Sequence, residues 1–168
     1  LVALAHCGFD LVPLCVDDSD VDLGIDINID RPEQAGADRL VNAVAAAAWH
    51  NLPTIVIDFG TATTLDLIGP KGAYEGGIIA PGVNLSIEAL YMAAARLPRI
   101  AVKPWQTDMP VLGTDTISAM QSGVFWGYVG MVEGLLERLR RSYGEDLPTI
   151  VTGGLAPLFA DHINGPLI

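Results

Sequence analysis

Three closely spaced segments in the middle of the chain have the residue pattern of β-strands. They cover residues 54–59, 61–68 and 73–80, and glycine or proline residues separate them. Short apolar or alternating runs with such boundaries are typical of strands that are joined by tight turns. The pattern therefore predicts three consecutive strands.

Longer stretches with helical composition lie on both sides of these strands. The alanine-rich stretch before them has a high helix propensity, and Asn84 is a residue type that caps helices. The predicted helices cover residues 37–50, 84–97, 115–143 and 155–163. Glycines in the third of these helices allow close packing but weaken the helix.

Shorter apolar runs complete the pattern. They predict further strands at residues 11–16, 24–29 and 148–151. From residue 54 onward the predicted order is β-β-β-α-α-β-α, and hairpins followed by crossover helices indicate an α/β domain with a helix-covered mixed sheet. The break at residues 51–53 predicts a domain boundary, with residues 1–52 on one side and residues 53–168 on the other.

The composition and charge exclude several classes of protein. The chain is 51% hydrophobic and 17% charged, so it can fill a core. No apolar run approaches the roughly 20 residues of a membrane helix, and no signal peptide is evident; we expect a cytoplasmic protein with no membrane contact. A net charge of −11 disfavours nucleic-acid binding. Mean hydropathy is +0.40, which predicts either a surface buried by a partner or missing polar ends.

The basic residues and cysteines restrict the chemistry further. Lys71 and Lys103 are the two lysines, and neither lies in a G-x-x-x-x-G-K-[ST] phosphate loop. Any bound phosphate must therefore be held by backbone N–H groups, hydroxyls, arginine or metal ions. Cys7 and Cys15 do not have the spacing of zinc ligands, and we expect reduced thiols.

The segment DFGTATT is the strongest local signal. A buried strand delivers Asp58 to its end, Gly60 allows a tight turn, and Thr61, Thr63 and Thr64 follow. Such a hairpin can offer hydroxyls and N–H groups to a phosphate while the carboxylate holds a cation. An ordinary hairpin with β-branched residues accounts for the pattern equally well.

The segment GADR opens the alanine-rich helix. An acid such as Asp38 in the first helical turn is favoured by the helix dipole alone. Alternatively, Asp38 accepts a proton from a substrate hydroxyl, and Arg39 binds a carboxylate or phosphate.

Two further segments carry weaker signals. Gly153 and Gly154 lie between a strand and a helix, where a flat ligand can approach closely and the helix N-terminus favours anions; α/β domains also turn at such glycines for structural reasons. Thr114 or Asp115 is an ordinary N-cap for the long helix that follows.

Taken in order, the segments GADR, DFGTATT, YEGGIIAPG, TISAMQSG and TGGLA resemble type III pantothenate kinases. That family belongs to the acetate kinase, hexokinase and actin type of fold. The resemblance implies an actin-like, ribonuclease H-like mixed sheet with covering helices. Residues 53–168 would form the second actin-like domain, and residues 1–52 the C-terminal part of the first.

The resemblance also implies an activity and a site. ATP and pantothenate would give ADP and 4′-phosphopantothenate, the first step of coenzyme A biosynthesis. Asp38 would be the catalytic base, Asp58 would bind a monovalent cation (K⁺ or NH₄⁺), and Mg²⁺ would accompany ATP. Substrate-binding positions would be Gly36, Ala37, Asp38, Arg39 and Thr116. ATP-binding positions would be Gly60, Thr61, Thr63, Gly153 and Gly154. The protein would act as a homodimer with each pocket near the subunit interface.

Departures from the family pattern lead to further expectations. The D-x-G-N-T loop that opens the family is not in this sequence, so we expect a chain truncated at the N-terminus, and at the C-terminus too, with poor turnover on its own. A kinase of the same fold with another substrate is one rival, and a non-catalytic or regulatory relative is another. The GADR and TISAMQSG segments favour pantothenate over other substrates.

Overall fold

A four-stranded mixed sheet forms the centre of the computed structural model, which describes residues 16, 21–94, 96–144, 146–165 and 167–168. The strands run in the order β3-β2-β1-β4. Neighbours β1 and β2, and β2 and β3, are antiparallel, whereas β1 and β4 are parallel. Their bounds are Thr54–Phe59 (β1), Ala62–Ile68 (β2), Tyr74–Pro81 (β3) and Thr149–Thr152 (β4).

Helices cover both faces of this sheet. α1 lies on one face, and the remaining helices pack against the other. Their bounds are Ala37–Trp49 (α1), Val83–Ala93 (α2), Thr116–Tyr143 (α3) and Ala156–Phe159 (α4), with 3-10 turns at Pro32–Gln34 and Ala160–His162. The α/β class and the helix-covered mixed sheet predicted from the sequence are confirmed.

The two faces of the sheet bury separate apolar clusters. Ile55, Ile57 and Phe59 of β1 join the larger cluster with α2, α3 and α4, while Val56 joins the smaller cluster under α1. Successive side chains of a strand point to opposite faces. Because both faces are covered, β1 is apolar at consecutive positions and turns polar at Asp58.

Small side chains let α1 approach the sheet closely. Its buried positions are Leu40, Ala43 and Ala46, which recur every three residues along one face. Leu23, Ile25, Ile27 and Ile29 pack against the same cluster from the segment before the helix. The apolar face of α1 thus packs on the sheet, and the beginning of the helix lies toward the polar end of β1.

The structure corrects several predicted boundaries. Asn84 does not cap α2: the helix begins at Val83, Gly82 is its N-cap, and the helix ends at Ala93. The strand predicted at residues 24–29 is reduced to one parallel bridge between Ile27 and Tyr74, since its alternation reflects packing against α1 rather than a continuous ladder.

Of two other predictions, one is confirmed in part and one is largely untested. The helix predicted at 155–163 is divided into α4 and a 3-10 turn, while the strand predicted at 11–16 falls almost wholly outside the described residues. The domain boundary at 52 stays a prediction. None of the helices in the described part of the chain is both long and apolar enough to cross a membrane.

Asp115 caps the long helix α3 through a complete capping box. Its carboxylate accepts the backbone N–H groups of Ser118 (3.0 Å) and Ile117 (2.9 Å), and its own N–H donates to the Ser118 hydroxyl (3.2 Å). The bonds from Ser118 hold the pKa of Asp115 below its usual value. The ionised form is therefore the one that stabilises the helix start.

We expect the stabilising effect of Asp115 to depend on pH. A carboxylate with a lowered pKa stabilises the fold above its unfolded pKa, near 3.9, and loses that effect as the pH falls through the folded pKa. The Tm difference between wild type and Asp115→Ala should be largest above about pH 5 and should shrink toward pH 2. Asp115→Asn is the control, because its amide oxygen caps without titrating. A difference for the alanine variant that does not change with pH would contradict this account.

Candidate functional site

Asp38 presents an exposed carboxylate at the N-terminus of α1. Its Oδ1 accepts the backbone N–H of Arg39 at 2.9 Å, which orients the carboxylate and leaves Oδ2 free of intramolecular hydrogen bonds in the described part of the chain. Gly36 is the N-cap, and a Cβ placed there would lie 2.7 Å from Asp38 Oδ1. The glycine therefore leaves room for the carboxylate to sit against the turn.

Arg39 points in the other direction, into the space between α1 and the sheet. Its Nε and Nη2 donate to one carboxylate oxygen of Asp66, at 2.9 and 2.6 Å, and the Tyr74 hydroxyl donates to the same oxygen at 2.9 Å. The guanidinium carbon lies 5.5 Å from the centre of the Tyr74 ring. These contacts fix the side chain on the sheet.

Burial sets the electrostatics of this cluster. The Asp66 side chain is 1% exposed and that of Arg39 is 14% exposed. Burial by itself lowers the pKa of Arg39, but the hydrogen bond and charge of Asp66 outweigh it and raise that pKa overall. Burial raises the pKa of Tyr74 well above its usual value, with the charge of Asp66 adding to the effect. At neutral pH the cluster is therefore an ion pair with a protonated tyrosine.

The sequence reasoning did not single out Asp66 or Tyr74. Asp66 is the only polar residue in the run Leu65 to Ile68 of β2, and its position on the face toward α1 follows from strand alternation. A charge in a buried strand was the available signal, since buried charges are almost always paired.

Asp58 lies at the carboxyl end of β1 and is tied to α1. Its Oδ2 accepts from the Asn42 side-chain amide at 2.9 Å. Its Oδ1 faces the glycine after β4: a Cβ at Gly153 would lie 2.5 Å from that oxygen, and the φ of Gly153 is +96°. Close approach and backbone conformation thus both require glycine at 153, and two predicted site segments meet at Asp58.

The three threonines of the DFGTATT hairpin have different surroundings. Thr61 is exposed at the turn beside Gly60. Thr63 is buried and shares a hydrogen bond with the Tyr128 hydroxyl of α3. Thr64 is buried on the face toward α1, directly across from Asp58, and its hydroxyl has no partner within the described residues. Thr61 is therefore the threonine that can meet an external phosphate directly.

Thr116 lies at the other side of the sheet from α1. It is the first residue of α3 and is exposed. It lines an open groove of about 650 Å³ between α2 and α3, whose other walls are Ser86, Leu90, Leu97, Ala119, Met120, Gly123 and Val124. The structure thus brings Asp58 and Gly153 together at one end of the sheet and places Asp38 and Arg39 at the start of α1, while Thr116 opens onto this groove.

Removing Arg39 should destabilise the fold strongly. Arg39→Ala leaves the carboxylate of Asp66 buried and without its cation, and breaking one side of such a pair costs about 3–5 kcal/mol. The free energy of unfolding, measured by urea denaturation, tests this. Arg99→Ala is the matched control, because its pair with Glu88 is exposed on both sides and should contribute roughly 0–1 kcal/mol. Equal effects of the two substitutions would show that Asp66 does not depend on Arg39.

Comparisons with known proteins give a family match. The family model described as type III pantothenate kinase matches residues 1–138. Type III pantothenate kinases from Paramagnetospirillum magneticum, Rhodospirillum rubrum and Caulobacter vibrioides are 58%, 55% and 54% identical to the chain over 96%, 94% and 95% of it. The chain spans 61%, 60% and 62% of their lengths, respectively.

A solved structure shares the fold. The crystal structure of a Campylobacter jejuni protein assigned to the Baf family of transcriptional activators superposes with a TM-score of 0.57 and 21% identity. The superposed region covers 86% of this chain and 61% of the Campylobacter jejuni chain. At this level of identity the likeness concerns the fold alone.

Proposed function

Because the chain belongs to the type III pantothenate kinase family, we propose that the protein transfers the terminal phosphoryl group of ATP to the hydroxyl of pantothenate. The products are ADP and 4′-phosphopantothenate, and the reaction opens coenzyme A biosynthesis in the cytoplasm. The exposed, oriented carboxylate of Asp38 is the observation that carries the proposal.

Asp38 acts as the general base in this proposal. The substrate hydroxyl oxygen forms a bond to the γ-phosphorus while the bond from that phosphorus to the ADP oxygen breaks. The hydroxyl proton passes to Oδ2 of Asp38, and ADP leaves with the electron pair. Phosphoryl transfer needs positioning more than covalent help, so a carboxylate held by the Arg39 N–H is sufficient.

The start of α1 forms the pantothenate side in this proposal. Thr116 lies at the other side of the sheet in the same chain, so it would join this side only from the second copy of a homodimer. Gly36 and Ala37 supply close-approaching backbone beside Asp38. Two nitrogens of Arg39 are already engaged by Asp66, so the Nη1 end of its guanidinium is what remains for a substrate carboxylate. Thr116 offers a hydroxyl from the groove between α2 and α3.

The ATP side is formed by the two glycine turns near Asp58. Thr61 and Gly60 lie exposed at the hairpin turn and can approach phosphate oxygens. Gly153 and Gly154, after β4, would lie along the adenosine. Thr63 belongs to this segment, but its buried hydroxyl supports the turn from inside.

The proposed reaction needs bound cations because the site is acidic and the ATP phosphates are negatively charged. Oδ1 of Asp58 accepts no hydrogen bond within the described residues and lies beside two glycine backbones, which suits a monovalent ion with oxygen ligands. No group of three or more His, Cys, Asp or Glu residues gathers to bind a metal in the described ranges, so Mg²⁺ would bind largely through ATP phosphates. When bound, these ions neutralise phosphate charge that this acidic chain cannot.

We further propose that the protein is a homodimer whose interface includes the rim of the groove between α2 and α3. Apolar side chains that are 38–81% exposed gather on α2, on the loop before α3 and at its start: Leu85, Leu90, Tyr91, Met92, Val111, Leu112 and Ile117. Exposed patches of this kind mark interaction sites. A second copy is the favoured occupant because Thr116 lies beside this patch and the family resemblance places substrate pockets near a subunit interface.

Pantothenate-dependent ADP release tests the proposed reaction. With Mg²⁺ and K⁺ present, Asp38→Asn should lower kcat by about 100-fold or more, because the base is removed while its shape is kept. Asp146→Asn is the control: this exposed carboxylate precedes β4, at the opposite end of the sheet, and should leave kcat unchanged.

The same assay separates the remaining alternatives. Activity that survives Asp38→Asn would refute the assigned base. If the 168-residue chain is inactive, a form with the full length of its curated relatives is assayed next. Inactivity of that longer form would favour a non-catalytic relative.

Sedimentation equilibrium tests the dimer. We expect a mass about twice 17.7 kDa for wild type. Because a charge buried in an apolar interface is costly, the double variant Met92→Glu and Leu112→Glu should shift the mass to that of a monomer. Trp49→Glu, which changes an exposed aromatic residue at the end of α1, is the control. A monomeric wild type would refute the proposed assembly.

A further inference from the structure

Tyr128 connects three elements through its hydroxyl group. The residue lies in α3 and is 5% exposed. Its hydroxyl hydrogen-bonds with Thr63 of β2 and donates to the backbone carbonyl of Pro81, at the end of β3, at 3.0 Å. A phenol has a single proton. Since that proton goes to Pro81, Thr63 must be the donor in the other bond.

Both partners of Tyr128 border the exposed turn of the hairpin. Thr63 lies in β2, two residues after Thr61 of the turn. Pro81 pairs with Ala62 across the sheet and precedes Gly82, which packs so closely on the carbonyls of Gly60 and Thr61 that a Cβ there would clash with both. The turn is thus enclosed between the buried hydroxyl of Thr63 and the junction of β3 and α2.

The surroundings of Tyr128 keep its hydroxyl protonated and in place. The ring lies 6.1 Å from that of Phe59 and 5.2 Å from that of Phe159, measured between centroids. Burial raises the pKa of Tyr128, although the bond from Thr63 opposes the shift. The phenol therefore stays a donor to Pro81 at neutral pH. Phe59 directly follows Asp58, so the same packing also supports the cation-binding end of β1.

We propose that Tyr128 is a positioning residue for the nucleotide side of the site. Acting through Thr63 and Pro81, it holds the turn at Gly60 and Thr61 in the conformation that receives the ATP phosphates, and it touches no ligand itself. This inference rests on the proposed function, which gives that turn its role.

The proposal predicts different effects on the binding of the two substrates. Tyr128 lies more than three helical turns after Thr116 in α3, and it packs on the sheet face opposite Asp38. Among the described residues, Tyr128 hydrogen-bonds with Thr63 and Pro81 and not with Gly36, Asp38 or Arg39. Removing its hydroxyl should therefore change nucleotide binding and leave pantothenate binding nearly unchanged.

Calorimetric titration of the full chain with Mg·ATP, and separately with pantothenate, tests this. Tyr128→Phe keeps the ring and its packing but leaves Thr63 without an acceptor and Pro81 without a donor. We expect its Kd for Mg·ATP to rise about tenfold, equivalent to about 1.4 kcal/mol, with the Kd for pantothenate within about twofold. Thr63→Val should have a similar effect, since it removes the other end of the same link.

The double variant and a control make the test specific. Tyr128→Phe combined with Thr63→Val should be no worse than either single variant, because both break one connection. Tyr143→Phe, on the same helix but 62% exposed, should bind both ligands like wild type. Equal weakening of both ligands in Tyr128→Phe, or additive effects in the double variant, would overturn the positioning role.

A different result would show that the proposed function is wrong. If wild type binds neither Mg·ATP nor pantothenate, the proposed activity of the chain is wrong. Hydrogen exchange then tests the positioning role by itself. Amides of residues 60–63 should exchange at least fivefold faster in Tyr128→Phe than in Tyr143→Phe, whereas amides of residues 38–42 should not change. Unchanged exchange at 60–63 would overturn the inference.

Discussion

The burial of β1 on both faces is the constraint on which the rest of the structure depends. This strand pairs with β2 on one side and β4 on the other, and its alternate residues supply both apolar clusters. A strand in that position is apolar through its middle, here Ile55 to Ile57. Asp58, near the carboxyl end, is its charged residue, and the two glycine turns at residues 60 and 153 adjoin it. The position of the candidate site is thus a consequence of how the core is built.

Polar contacts hold the start of α1 on the sheet. Arg39 reaches Asp66, and Asn42, one turn further along α1, reaches Asp58. Each of these interactions joins the helix to a strand, so the first turn of α1 cannot shift without breaking a buried or half-buried bond. Asp38 gains its orientation from this fixed turn. Desolvation offsets much of the attraction within the buried ion pair.

In the proposed reaction, an acidic chain with two lysines would bind phosphate by a different means from a P-loop protein. Exposed backbone at glycine turns, a hydroxyl at Thr61 and a carboxylate suited to a cation replace the missing basic side chains in the proposed reaction. Such a site depends on fixed backbone, because the dipoles of N–H groups act only at short range. The enclosure of the hairpin turn by Gly82, Thr63 and Tyr128 meets that requirement.

The amino-acid sequence by itself determined the order and type of the elements from residue 54 onward, since local periodicity and turn residues encode them directly. It also determined the family, because several ordered motifs are specific when taken together. Only the tertiary structure decided the partners of Arg39, the separate surroundings of Thr63 and Thr64, and the contact of Gly153 with Asp58. These contacts join residues that are 27, 65 and 95 positions apart. They depend on which helix covers which face of the sheet, and no local pattern encodes that choice.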